Sequence, residues 1–116
     1  MRLIIQSNTS LHHVINEDII LKDGASVSLH GITNGIIHLT DNTCCKLHGI
    51  HNGKIIVDKG CTLYAHGTLI GQLECHGHTD IWGIAKICDT ISDENSITIH
   101  KHAIVNDTTY SADKTI

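Results

Sequence analysis

Histidine stands at 12, 30, 48 and 66, always 18 residues after the last, and again at 102 with Ile84 in the vacant place. Imidazole is a common metal ligand and the side chain that titrates nearest neutral pH, so such a row offers a metal ladder or a pH-sensitive surface. Side chains stacked in parallel, with no carboxylate between them, do not converge as a tetrahedral site requires. A second cluster, "CHGHTDIW", places His76, His78 and Asp80 at alternating positions. They can approach one another on the same side of a strand, while Cys75 points the opposite way. The metal candidates His12, His30, His48, His66, His76 and His78 therefore make no complete ligand set, and no metal or other cofactor is expected. No nucleophile can be paired with a base, and no glycine-rich phosphate loop opens a helix. The expectation is a protein that is not an enzyme.

The spacing of 18 belongs to the whole chain. "LHGITNGIIHL" at residues 29–39 is followed by "LHGIHNGKIIV" at residues 47–57. Aliphatic columns repeat at the same interval: Met1, Ile19, Ile37, Ile55, Leu73 and Ile91; Leu3, Leu21, Leu39, Val57 and Cys75; Thr9, Val27, Cys45, Leu63, Ile81 and Ile99. A mixed column runs Ile15, Thr33, His51, Leu69, Ile87 and Val105. All members are odd-numbered, and an even period preserves strand alternation, so odd residues should face inward throughout. Within a repeat the anchors recur every six residues, giving three short strands per turn. Two corner columns hold turn formers: Gly35, Gly53, Gly71, Asp89 and Asp107, and Asp23, Asp41, Lys59, Gly77 and Asn95. The third corner column is Leu29, Leu47, Ala65, Gly83 and Lys101.

The fold expected is all-β: a single-domain parallel β-helix, or triangular β-solenoid, of about six 18-residue rungs over residues 1–108, with a short polar tail at 109–116. At ~4.8 Å per rung it is a rod roughly 30 Å long. Its handedness stays open. An antiparallel sandwich would also alternate, but it would not hold one fixed period. Composition agrees. The 116 residues suit one domain, and the apolar set is aliphatic and Cys, with no Phe, as a narrow stacked interior needs. Pro, which cannot donate to a strand ladder, does not occur.

The formal charge of −4 provides no basic stripe for nucleic acid. Five Cys without paired spacing and a start, "MRLIIQS", unlike a secretory leader suggest a cytoplasmic home. No apolar run approaches the ~20 residues of a transmembrane segment.

Glycine pairs four apart with aliphatics between and after them, as in "GITNGII", "GIHNGKI" and "GTLIGQL", give the chain a pattern that resembles the bactofilins, polymer-forming cytoskeletal proteins of bacteria. The resemblance covers roughly residues 10–107 and lacks that family's proline-containing tails. It implies a scaffold that self-associates into oligomers or filaments through its solenoid ends. Leu3 and Val105 would lie at those ends, and the outward stripe Val14, Ile32 and Ile50 would reinforce lateral contact. Two other readings stay open: a binding module that shows a His-rich face to a metal or a protein partner, and a trimer similar to the hexapeptide-repeat acyltransferases. The latter place Gly after each aliphatic anchor, where this chain has Asn34, Thr40, Lys46 or Asn52.

Overall fold

A computed structural model describes residues 2–116; Met1, assigned above to an inward column, lies outside the described residues. The strands in chain order are β1 (Arg2–Ile5), β2 (Thr9–Leu11), β3 (Asp18–Leu21), β4 (Ser26–Leu29), β5 (Ile32–Leu39), β6 (Cys44–Leu47), β7 (Ile50–Val57) and β8 (Thr62–Ala65). They continue as β9 (Thr68–Cys75), β10 (His78–Ile81), β11 (Ile84–Ser92), β12 (Ile97–Ile99), β13 (Ile104–Val105), β14 (Thr108–Thr109) and β15 (Lys114–Thr115). One sheet runs β1-β3-β5-β7-β9-β11-β13-β14 and the other β2-β4-β6-β8-β10-β12-β15. Pairing is parallel except for β14 and β15. The protein is the triangular β-solenoid of about six turns that the repeats predict.

Two sheets make three faces because the long strands bend. Gly35, Gly53 and Gly71 lie inside β5, β7 and β9 with φ of 129°, 136° and 139°, a region that side chains avoid, and they stack as Gly35↔Gly53↔Gly71. Each bend sends residues before it along a first face and residues after it along a second. The third face is the sheet that begins at β2. The remaining glycine corner is His30-Gly31, His48-Gly49 and His66-Gly67, not the column of Leu29, Leu47 and Ala65, which is buried. A Cβ on Gly49 would meet the carbonyl oxygen of Gly31 in the rung below, so this row keeps the rungs in contact.

The interior is a stack of aliphatic columns, among them Ile19, Ile37, Ile55 and Leu73, and Leu29, Leu47, Ala65, Ile81 and Ile99. Each fully buried Leu or Ile contributes about 1.5–3 kcal/mol of transfer free energy. Among the described residues, no buried side-chain nitrogen or oxygen lacks a hydrogen-bond partner.

The period is not constant, and this corrects several columns. Leu3 pairs with Ile19 rather than aligning with Leu21. Four residues connect β7 to β8 but only two connect β9 to β10, so Thr79, not Ile81, follows Leu63, and Ala85, not Ile87, follows Leu69. The loss of two residues preserves parity. A bulge at Cys88 then breaks it, pairing Leu73 with Thr90 and leaving Ile91 exposed where an inward side chain was expected. The short polar tail at 109–116 takes part in the sheets: β14 pairs antiparallel with β13, and β15 with β12. Tyr110 packs against the core from this segment.

Candidate functional site

The histidine row is real, and longer than its spacing indicates. His12, His30, His48, His66, Trp82 and His100 form one continuous stack of rings. Successive centroids are 4.6, 4.8, 5.2, 4.5 and 4.1 Å apart, with no more than 10° between planes. These separations follow the strand spacing, because each ring leaves its rung at the same corner. Trp82 and His100 take the places that a constant period would give to Ile84 and His102. The two-residue shortening before β10 is what moves them into line. Desolvation, with the charges that His12 and His48 acquire on protonation, pushes His30 below the ordinary imidazole range.

Beside the stack, on the first face, lies the aliphatic stripe. Val14 is 57% exposed, and Ile32 and Ile50 are each 38% exposed. Ile32 pairs with Ile50, Ile50 with Thr68, and Thr68 with Ile84, so the stripe is continuous but for one Thr. Next to it Asn34 donates to Asn16 at 2.8 Å and Asn52 donates to Asn34 at 3.0 Å, a side-chain amide ladder.

His76 and His78 do not join this ladder. His76 lies between two carboxylates, Nε2 3.0 Å from Glu74 and Nδ1 3.0 Å from Asp93, and Lys54 reaches Glu74 at 3.3 Å. Asp93 and then Glu74 raise the His76 pKa, while hydrogen bonds from His76 and Lys54 lower that of Glu74. His78 and His100 share one oxygen of Asp80, at 3.1 and 3.0 Å. Among the described residues no group of three or more His, Cys, Asp or Glu has the arrangement to hold a metal ion. The stacked rings present parallel edges rather than a common centre.

The interior also holds a buried imidazole, hydrogen-bonded to its neighbour in the mixed column. His51, fully buried, lies 2.7 Å from the Thr33 hydroxyl through Nδ1, and its Nε2 lies 3.3 Å from the Lys54 carbonyl. The tautomer assigned from this network donates from Nε2 and accepts at Nδ1 from Thr33. Burial lowers the His51 pKa, against the opposing effect of its hydrogen bonds. Cys45 and Cys61 are buried as expected of small apolar side chains, and burial pushes the Cys45 thiol up to about 12.

The ends are unlike one another. Leu3 is half-buried on β1, and β1 and β2 each have a partner strand on one side only among the described residues. Val105, expected at an equally open end, is half-buried on β13, and β14 covers its outer edge. Antiparallel closure by residues 108–116 was not legible, because the 18-residue pattern runs only to residue 108. The open stretch at this end is instead residues 88–92, exposed throughout.

Comparison of the chain with protein-family models, with curated proteins and with solved structures finds no match. No helix among the described residues is long and apolar enough to cross a membrane.

Proposed function

We propose that the chain is a self-associating structural protein whose solenoids join at their ends, as its resemblance to the bactofilins implies. The observation that carries this reading is the first rung. Among the described residues β1 and β2 have one unpaired edge of backbone N–H and C=O groups, and β1 also shows Ile4, 53% exposed, on its outer surface. Such an edge is a template for another chain unless something covers it. The stripe of Val14, Ile32 and Ile50 adds an uncharged lateral surface beside the joint.

Light scattering coupled to size exclusion tests the reading. The parent protein is expected as oligomers whose mass rises with concentration. Ile4→Lys, which places a charge on the open edge, should shift the distribution toward monomer, as should Leu3→Lys. Lys59→Glu, in a turn far along the rod, should leave it unchanged. A parent that remains monomeric over the whole concentration range overturns the proposal.

A further inference from the structure

Among the described residues, the far end of the solenoid lacks one strand on one face. Beyond β11, the first face continues through β13 and β14, and the third face gains β15. The second face stops at residues 89–92, because β13 pairs only with Ile84 and Ala85. Thr90 and Ser92 close the inward columns of Leu73 and Cys75, yet both are exposed, since no strand lies over them. Behind this gap is a hollow of about 210 Å³, lined by Ile87, Ile97, Ile99, Val105, Tyr110 and Ile116 among others.

We propose that this gap is a strand-acceptor slot that takes β1 of a second copy, joining the rods head to tail. The proposal rests on the self-association reading and specifies its geometry. Residues 89–92 read Asp-Thr-Ile-Ser, and β3, on which β1 normally lies, reads Asp-Ile-Ile-Leu. β1 pairs with β3 as Arg2↔Asp18 and Ile4↔Ile20. Asp89 continues the same column of the sheet as Asp18. In the equivalent register, Arg2 of the incoming strand stands opposite Asp89. Ile4 then covers Ile91, which is 51% exposed. Leu3 and Ile5 point the opposite way, over Thr90 and Ser92 and into the hollow.

A chain cannot fill its own slot, because the other strands of the sheet separate β1 from residues 89–92 along a rod 37 Å in its longest dimension. Flush stacking of two bodies is also blocked, since β14 and β15 project past the slot on the other two faces. A strand must reach in. β1 suits this role, because it is held by β3 alone and leads into the connecting residues 6–8. Its transfer exchanges one parallel edge pairing for another, and the packing of Leu3 and Ile5 on their own core for the apolar contacts of the hollow. The joint is heterologous, so it repeats into an open chain.

Two measurements test the slot. Asp89→Arg, at an exposed position, should weaken association at least tenfold in sedimentation velocity while leaving the denaturant midpoint near that of the parent. In a background of Cys44→Ser and Cys88→Ser, mixing Ile4→Cys protein with Ile91→Cys protein and oxidising with diamide should give a heterodimer. Mass spectrometry should find the disulfide between the two introduced thiols. Association that survives Asp89→Arg, with no such cross-link, overturns the slot and leaves self-association to other edges. A strictly monomeric parent overturns self-association itself and the slot's occupant with it.

Discussion

His51 carries a polar group into a column otherwise occupied by Ile15, Thr33, Leu69, Ala85 and Val105, and the hydroxyl of the adjacent Thr33 is what makes it tolerable. Thr33→Val removes that donor and leaves Nδ1 buried without a partner, a loss of about 1–3 kcal/mol. His51→Leu strands the Thr33 hydroxyl instead, at a similar cost. The double variant replaces both partners by apolar groups and should lie closer to the parent than either single variant. Chemical denaturation of the four proteins checks this, and additive single losses would show that the pair does not act as a unit. The inward direction of His51 follows from its odd number within the repeat. Its neighbour Thr33 follows from the same column, whereas the hydrogen bond between the two side chains does not, because a column fixes which residues lie side by side and not what their side chains do.

At the scale of the strand and its corner, glycine acts in two different ways. Gly24 has φ of +70° with open space around it, so Gly24→Ala costs on the order of 1 kcal/mol, the backbone penalty alone. Gly49 has no such φ, but an added Cβ collides with the Gly31 carbonyl and forces two rungs apart. Gly49→Ala should therefore cost on the order of 3 kcal/mol, and a thermal melt in which the two variants fall together would refute the rung-contact role. The Gly35, Gly53 and Gly71 corners were legible because glycine recurs there at constant spacing. The ring corner was misplaced by one or two residues, since Leu29 and Leu47 recur just as regularly as His30 and His48. Beyond residue 76 the columns were lost to a short connection and to the Cys88 bulge, neither of which has a composition of its own. Trp82 entered the ring stack for that reason alone, and only pairing reveals it.

For the whole molecule, its imidazoles oppose one another as pH changes. His51 and His30 have lowered folded pKa values, the first chiefly by burial and the second by desolvation together with its stacked neighbours. Such groups cost nothing above the unfolded value of about 6.5 and destabilise the native state progressively as pH falls below it. His76 has a raised folded pKa, held by Asp93 and Glu74. Its contribution is complete below about 6.5 and is lost as pH rises through its folded value. Rungs interact chiefly with their neighbours, yet all three groups bear on consecutive rungs of one short stack, so the effects should appear in a single unfolding transition. The denaturant midpoint is thus expected to peak near neutrality, falling on the acid side between about pH 6.5 and 5 and more gently on the alkaline side. Thr33→Val with His51→Leu, and separately His30→Gln, should flatten the acid limb. His76→Gln should flatten the alkaline limb and leave the acid one. A midpoint that does not fall between pH 6.5 and 5.5 in the His76→Gln variant would mean that neither the ring stack nor the buried pair is coupled to folding.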